Sequence, residues 1–352
     1  MDSTRKLSLT GPISRKSYAF WVWATQVIPL LGVALAFSLA FKYGIGWMEI
    51  IAFLSMGTLG AIGVEIGFHR YFSHKSFKAV KPLSVVLVIL GSMTVMGPVF
   101  YWAHHHRRHH QYSDTEKDPH SPNDVYDNKN GFFRRFLYAH FGWNHSNKIA
   151  NETFELRWLF EISKDLSHFT GSQAVIWAAR RYYFWVLMGV LLPAAVCGLW
   201  HETWYAFLSG GLWGGLVRIA VGQHSVWGIN SIAHSFGSRF FNTSDKSVNS
   251  QYLHLFFCLV GSLMIYLNAP ESVKIPGMFV FVFVFAMVSV GGGWHNNHHA
   301  FPNHAVQQYS WWQIDPLGWL ILLWEKLGLV RSVTRPSMAR AKNYRAKSDT
   351  TS

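Results

Sequence analysis

The chain has 352 residues, of which 50% are hydrophobic and only 14% are charged. Soluble domains average about 25% charged residues, so this composition argues against an ordinary soluble enzyme and favours a membrane protein. The net charge of +13 suits nucleic acid, anionic lipid or an acidic ligand, but no nucleic-acid-binding motif accompanies it. Cys197 and Cys258 both stand in apolar runs without metal-ligand spacing, so the cysteines predict no disulfide framework.

Four apolar stretches are long enough for membrane-spanning helices, which need about 20 residues each. They lie at 18–41, 45–68, 182–200 and 203–222, and short turns join them in pairs. We therefore predict an all-α integral membrane protein with two transmembrane hairpins. Basic residues before the first stretch, in the central polar segments and in the tail at 331–347 indicate a positive-inside bias.

The other apolar segments are shorter or interrupted. Residues 83–103 are broken at Gly97 and Pro98, which favours a segment that re-enters the membrane or lies in its interface. Residues 252–290 either form a third hairpin or do not cross. The mixture of tryptophans and charges at 305–330 predicts an interfacial helix.

No linker divides the chain, so we predict one domain covering residues 1–352. Its parts are the first hairpin and re-entrant segment (18–103), a polar helical cap (104–180), the second hairpin (182–234), the extra apolar segments (252–290), and the last histidine cluster with the basic tail (291–352).

Nineteen histidines are unusual for a membrane protein, and their spacing is informative. Three clusters stand out: His69 and His74; His106, His109 and His110; and His295, His298 and His299. On a helix, the i, i+3, i+4 spacing of the second and third clusters puts three rings on one face. The five-residue offset of the first cluster predicts two rings turned well apart, so that they could hold a metal centre from different sides. Asn230 and His234 form a further i, i+4 pair.

The predicted topology lets these clusters meet on the side of the N-terminus, provided that 83–103 does not cross the membrane. Imidazole is a ligand for zinc, copper, iron and nickel. Nine nitrogen ligands fit two metals better than one, and iron is the best match to dioxygen chemistry. Composition alone leaves the metal open.

The clusters and the Asn-Ser-Ile-Ala-His string at 230–234 resemble the membrane fatty acyl desaturases, especially the Δ9 acyl-CoA type. The resemblance covers roughly residues 20–325. The flanking strings that agree with it are Trp102, Asp118-Pro119-His120, Gly131-Phe132-Phe133, Ala139-His140-Phe141-Gly142-Trp143, Ala300-Phe301-Pro302 and Trp312-Gln313-Ile314-Asp315.

The resemblance implies a di-iron centre with dioxygen as co-substrate and a cis double bond, of Δ9 position, as product. The implied iron ligands are His69, His74, His106, His109, His110, His234, His295, His298 and His299. Asn230 would hold a metal-bound water. The expected partners are a long-chain acyl-CoA or acyl-lipid substrate, membrane lipid and a separate electron donor of the ferredoxin or cytochrome b5 type, with no nucleic acid.

The sequence departs from the family pattern at three places, one of which is the apolar stretch 252–290, which looks partly inserted between the His234 string and the third cluster. Gly291-Gly292-Gly293 stands where the family usually has Gly-Glu-Gly, and His104-His105 stands where animal enzymes have an Arg-Asp pair that meets CoA. The departure at His104-His105 leaves CoA and lipid open as carriers. The sequence contains no His-Pro-Gly-Gly haem motif, so electrons are expected from another protein. A bacterial plasma membrane is favoured over the endoplasmic reticulum, with the site on the cytoplasmic side.

Two other functions remain open on the residues alone. A histidine-box fatty acid hydroxylase or alkane monooxygenase would use the same metal chemistry, and a metal-binding membrane transporter would use histidines as a relay. Transport sites lie near the membrane midplane, whereas these clusters gather at one surface.

Six further residues near the clusters have expected roles of their own. Glu65 either orients the His69 imidazole or is an interfacial acid paired with a basic residue. His104 and His105 are expected at the substrate mouth or in solvent, and not as ligands. His120 and His140 are expected to cap or to support the site, and Trp227 either lines the acyl tunnel or packs.

Overall fold

The computed structural model describes residues 15–123, 131–146, 172–250 and 292–337, together with Leu263, Tyr266 and Ala341. The predicted extra segments at 252–290 therefore lie almost wholly outside the described residues, as does most of the basic tail. The helices in chain order are α1 (Arg15–Tyr43), α2 (Trp47–Ala61), α3 (Lys81–Ser92), α4 (Val99–Tyr112), α5 (Phe132–His140), α6 (Ser172–Ala179), α7 (Tyr182–His201), α8 (Trp204–Gly210), α9 (Arg218–Ser231), α10 (His295–Ala300) and α11 (Pro316–Lys326).

Short segments of other geometry extend these helices. Two are π-helical, π1 (Ile62–Ser73) after α2 and π2 (Gly211–Val217) between α8 and α9, and two are 3₁₀ turns at Gly142–His145 and Ile232–His234. The only sheet among the described residues pairs β1 (Lys78–Ala79) with β2 (Val330–Arg331). The predicted all-α class is confirmed.

Three helices in the described part of the chain are long and apolar enough to cross a membrane: Tyr18–Tyr43, Trp47–Ser73 and Tyr182–His201. They coincide with three of the four predicted spans. Their outward faces carry bare hydrophobic side chains, such as Phe41 at 71% and Leu199 at 80% exposure. Surfaces of this kind fit lipid and not water, so the chain is an integral membrane protein.

The fourth predicted span, 203–222, is helical but less apolar than the other three. It falls in the uninterrupted helical stretch formed by α8, π2 and α9, which packs against α1, α2 and α7. Its glycines allow this close packing: a Cβ on Gly214 would lie 2.5 Å from the Cβ of Pro193 in α7. The glycines and Arg218 lower its hydropathy below that of the three spans.

Residues 83–103 form two helices that meet at a turn and run in opposite directions. With 12 residues, α3 is about 18 Å long, too short to span the hydrocarbon core. It lies antiparallel to π1, since a Cβ on Gly63 would come within 2.2 Å of the Gly91 nitrogen and one on Gly67 within 3.0 Å of the Leu87 Cβ. The chain therefore dips along π1 and returns as α4, which carries the second histidine cluster.

The buried cation Arg218 stabilises the turn between α3 and α4. Its guanidinium donates hydrogen bonds to the carbonyls of Met93, at the end of α3, and Gly189, in α7, each at 2.8 Å, and to Gly214 at 3.1 Å. Gln223, also buried, donates to the carbonyls of Thr25 and Val95. Backbone carbonyls that would otherwise be unsatisfied in an apolar environment are thus bonded.

A buried ion pair joins the end of the second span to the C-terminal region. Arg70 donates to both carboxylate oxygens of Asp315, at 2.9 and 3.0 Å, and to the carbonyl of Ala305 at 2.7 Å. The same carboxylate caps α11 by accepting from the Gly318 nitrogen. On α11, Trp319 and Leu323 are exposed hydrophobic side chains, and the interfacial position of this helix stays a prediction.

We expect Asp315→Asn to destabilise the protein by about 3–5 kcal/mol, because it leaves the Arg70 guanidinium buried without a counter-charge. The matched control is Glu325→Gln, which removes the carboxylate from the exposed Arg335–Glu325 pair and should cost at most about 1 kcal/mol. Thermal unfolding in detergent measures both. Equal midpoints for the two variants would contradict the structural role given to Asp315.

Candidate metal centre

Five of the predicted ligands converge in one group, hereafter group one. Its members are His69, His74, His106, His110 and His298, and one ring nitrogen of each lies within 4.8 Å of all the others. Neighbouring Nε2 atoms are separated by 2.9 Å between His69 and His298, 2.8 Å between His74 and His106, 3.1 Å between His106 and His110, and 2.7 Å between His110 and His298. These spacings match the roughly 3 Å between two ligands set at right angles on a metal with metal–nitrogen bonds of about 2.1 Å.

The other four predicted ligands form group two: His109, His234, His295 and His299. The Nε2 atoms of His234 and His295 lie 3.0 Å apart, and those of His109 and His299 lie 3.3 Å apart. The two groups are neighbours, because consecutive residues of α4 and of α10 divide between them. The rings of His110 (group one) and His299 (group two) are 4.4 Å apart between centroids.

Carboxylates hold the outer ring nitrogens of four of these histidines. The Nδ1–H groups donate to Glu65 from His69 at 3.0 Å, to Asp118 from His109 at 3.0 Å, to Asp114 from His234 at 3.2 Å, and to Asp245 from His299 at 2.9 Å. A neutral imidazole carries one ring proton, so each of these rings presents a bare Nε2 lone pair to its group. This resolves the alternative for Glu65 in favour of orienting His69.

The direction of the ring lone pairs shows that a metal ion fits between the histidines. In group two, the Nδ1–H groups of three of the four rings donate to aspartates, so in the neutral, metal-binding form their Nε2 atoms face one another as acceptors. Acceptors at about 3 Å repel unless a cation lies between them. The donor set is all imidazole and is backed by carboxylates, which is the usual arrangement around protein-bound transition metals.

The charge state of the site matches this arrangement. Burial, followed by repulsion between imidazoles, holds the pKa of His74, His106, His110, His295 and His298 well below the ordinary value. Burial also lowers the pKa of His299, to about 4, although Asp245 opposes this. These rings are therefore neutral at pH 7, which is the form that binds a metal.

The pKa values of the three aspartates are lowered by their histidine partners, so these carboxyl groups stay charged. Burial alone would raise the pKa of Asp118, but the charge and hydrogen bond of His109 lower it. In the same way, contacts with His234 lower the pKa of Asp114 and contacts with His299 lower that of Asp245. The same interaction with Asp118 raises the pKa of His109 despite its burial. All three carboxylates are ionised acceptors.

The π-helical geometry of π1 explains how the first cluster reaches one metal position. In an α-helix a five-residue offset turns two side chains apart by about 140°, as expected from the sequence. In a π-helix residue i bonds to residue i+5, and here the His74 nitrogen donates to the His69 carbonyl at 3.1 Å. The two rings are 5.0 Å apart between centroids, with their planes inclined by 74°, so both reach group one.

Polar contacts fasten the other clusters. Arg107, between the histidines of α4, donates to the carbonyls of Phe72 and Ser73 and so locks α4 onto the end of π1. The asparagines of α10 are fully buried: Asn296 accepts from the Phe240 and Phe241 nitrogens at 2.7 Å. These contacts hold the loop after His234 against the third cluster.

His104, His105 and Asn230 were expected near the ligands but not among the nine histidines that bind the metal. Neither His104 nor His105 belongs to a metal group, and His105 is buried against Tyr101 and Trp143 and is not in solvent. Asn230 lies on α9 one turn before His234 and is half-buried.

The two supporting histidines and Trp227 are also placed. The His120 ring packs against the His109 ring, with centroids 4.5 Å apart and planes tilted by 32°, so it supports the site. His140 bridges Ser231 and His224 and packs near the buried Trp227, next to the end of α9.

The sequence reasoning missed Asp114 and Asp245. Asp114 also accepts from the Ser121 hydroxyl and from the Lys246 nitrogen, so it links the cap to the segment that follows His234. A signal existed, because the chain has only 18 acidic residues. An acidic residue within about a dozen positions of a predicted histidine ligand, such as Asp114 after His110 or Asp245 after His234, could therefore have been predicted to orient an imidazole, as Glu65 was.

A known family model covers most of the chain. Residues 45–323 match the family model described as fatty acid desaturase. The chain belongs to the fatty acid desaturase family. Membership makes it an oxidoreductase that acts on fatty acyl chains, and the predicted resemblance is confirmed.

Several characterised desaturases and related enzymes are similar along most of their length. The chain is 35% identical over 316 residues to the hex-5-enoyl-[acyl-carrier protein] acetylenase of Moorena producens, covering 89% of this chain and 85% of that protein. It is 30% identical over 291 residues to the acyl-CoA C20 Delta5-desaturase of Anemone leveillei (82% and 74%). It is 29% identical over 329 residues to the sn-1 stearoyl-lipid 9-desaturase of Anabaena variabilis (92% and 97%).

Acid should destabilise the metal-free desaturase through its buried histidines. Their folded pKa values lie below the unfolded value of about 6.5, so the unfolded chain takes up protons that the folded chain resists. We expect the thermal midpoint of chelator-treated protein to be constant above pH 7 and to fall steadily from about pH 6.5 toward pH 4. A midpoint that holds down to pH 4 would show that these rings are not buried neutral.

Proposed function

We propose that the chain is an oxygen-dependent, di-iron fatty acyl desaturase that introduces a cis double bond, at the Δ9 position, into a long saturated acyl chain. The observation that carries the proposal is the division of nine histidines into two adjacent groups of converging Nε2 atoms. Two such groups suit two metal ions, and family membership makes iron the choice.

In this proposal the nine histidines are the iron ligands, five to one ion and four to the other. Asn230 holds a water that completes the four-histidine group, since α9 places it one turn from His234. Iron, when bound, supplies the one-electron steps and the activation of dioxygen. The chain's own residues keep the imidazoles oriented and neutral.

The overall reaction needs electrons from outside the chain. Dioxygen takes up four electrons: two come with the two hydrogens removed from adjacent methylenes, and two come from a donor. With two further protons the products are one cis double bond and two waters. A separate ferredoxin- or cytochrome b5-type protein is the proposed donor.

The carboxylates explain how the site keeps its geometry during turnover. Glu65, Asp114, Asp118 and Asp245 fix the tautomer and the ring direction of their histidines. Burial of the groups excludes bulk water, which prevents the loss of reactive species to side reactions.

The carrier of the acyl chain is proposed to be CoA or a membrane lipid. Similar enzymes are named for acyl-CoA and for stearoyl-lipid substrates, and one for an acyl-carrier-protein thioester, which adds a third thioester to be tested. The proposed location is a bacterial plasma membrane, with the metal centre on the positively charged, cytoplasmic side.

We expect His298→Ala and His295→Ala each to lower bound iron from two ions toward one per chain, because each removes a ligand from a different group. The double variant should bind little iron. His201→Ala is the control, since this exposed histidine lies at the far end of α7. Elemental analysis of purified protein measures the ratio, and full iron in either single variant would contradict the ligand assignment.

The reaction itself is tested by the fatty-acid profile of a desaturase-deficient host that expresses the chain. Gas chromatography–mass spectrometry with double-bond mapping should show a new Δ9 monounsaturated acid that is absent with His298→Ala. A hydroxy acid in its place would favour the hydroxylase. A double bond elsewhere would keep the desaturase and overturn the Δ9 assignment.

A further inference from the structure

The sheet β1–β2 places two cations directly opposite each other. Lys78 pairs with Arg331 across the antiparallel ladder, and both side chains are exposed, whereas their neighbours Ala79 and Val330 are buried. Like charges at opposed positions of a sheet are destabilising. The contribution of this pair to the stability of the fold is therefore unfavourable, which suggests that the two cations serve another purpose.

More cations surround this pair. Lys75 and Lys81 flank β1 and are exposed, and Lys81 occupies the first turn of α3, where the helix dipole is also positive. We call Lys75, Lys78, Lys81 and Arg331 the basic ribbon. Within the described ranges, Lys78, Lys81 and Arg331 form no ion pair, and the nearby Glu325 is paired with Arg335 instead.

The basic ribbon starts at the metal centre. Lys75 is bonded to His74 of group one through a single peptide link, and its nitrogen donates to the Tyr71 carbonyl on π1. Even a fully extended chain would put the Lys78 Cα no more than about 14 Å from the His74 Cα. A protein docked on the ribbon would therefore lie close to group one.

Other arginines of the cap are already used by the fold. Arg107 donates to carbonyls of π1, Arg108 to the Lys117 carbonyl and Arg135 to the Pro122 carbonyl. Lys78, Lys81 and Arg331 differ because their side chains are exposed and form no ion pair among the described residues, so an approaching acidic surface can meet them.

We propose that the basic ribbon is the docking surface for a small acidic electron-carrier protein. This rests on the proposed function, which needs two electrons per double bond from outside. The carrier delivers one electron at each of two dockings and leaves oxidised each time. An acidic partner would relieve the repulsion between Lys78 and Arg331, and complementary charge would speed its association.

The test uses the iron-loaded enzyme in nanodiscs with a soluble, acidic [2Fe–2S] ferredoxin and its reductase as the probe. We expect Lys78→Glu and Arg331→Glu each to raise the KM for ferredoxin about tenfold and to weaken the salt dependence of turnover. Binding of oxidised ferredoxin, followed by surface plasmon resonance, should weaken by the same factor. Lys42→Glu, with the same change of charge at the far end of α1, should leave both values unchanged.

Stability separates docking from a structural role. Lys78→Glu puts an acid opposite Arg331 and should therefore not lower the thermal midpoint, even though it impairs docking. Single-turnover desaturation with dithionite as reductant bypasses the carrier and should proceed normally in both variants. An unchanged ferredoxin KM in both variants would overturn the docking proposal.

The main competing occupant is an anionic lipid, because α11 beside the ribbon exposes Trp319 and Leu323. If the effect of Lys78→Glu disappears in nanodiscs of purely zwitterionic lipid, the ribbon binds lipid and the docking proposal is wrong. Failure of the proposed function has a different signature: the wild-type enzyme would then form no double bond even with dithionite.

Discussion

Repulsion between imidazole lone pairs is the constraint on which this structure depends. Nine rings are held with their Nε2 atoms about 3 Å from one another, and carboxylates occupy the opposite nitrogen of four of them. In group two, where three of the four outer nitrogens donate to aspartates, the facing Nε2 atoms of neutral rings are acceptors, and a bound cation would relieve their repulsion. The buried acids, the π-helical end of the second span and the polar contacts of α10 all serve to keep this array closed.

The membrane-embedded part supplies a rigid support for that array. The short helix α3 descends along π1, and α4 returns with the second histidine cluster, so the hairpin brings a ligand set back to the surface where the second span ends. Arg218 closes the bottom of the hairpin by bonding carbonyls of three helical segments. A charged side chain in this region is tolerated because each of its hydrogen bonds satisfies a backbone group that lipid cannot.

The distribution of charge separates two uses of basic residues. Arg70 and Arg107 stabilise the fold: Arg70 forms a buried ion pair, and Arg107 donates hydrogen bonds to the end of π1. The cations of the basic ribbon are exposed and set against one another, which stability does not explain. The same net charge of +13 that indicated membrane orientation in the sequence is thus partly structural and, we propose, partly reserved for an electron carrier.

The sequence by itself determined the membrane class, three of the spans and the nine clustered histidines, because hydropathy and i, i+3, i+4 spacing are local properties that each segment carries alone. Only the tertiary structure decided that these histidines divide five and four, that Asp114, Asp118 and Asp245 support them, and that His69 and His74 reach the same group. These facts depend on contacts between residues as many as 229 positions apart, such as His69 and His298, and on a π-helical turn that local spacing does not reveal. Local periodicity fixes which side chains share a face, whereas the packing of α4, π1 and α10 against one another fixes which faces meet.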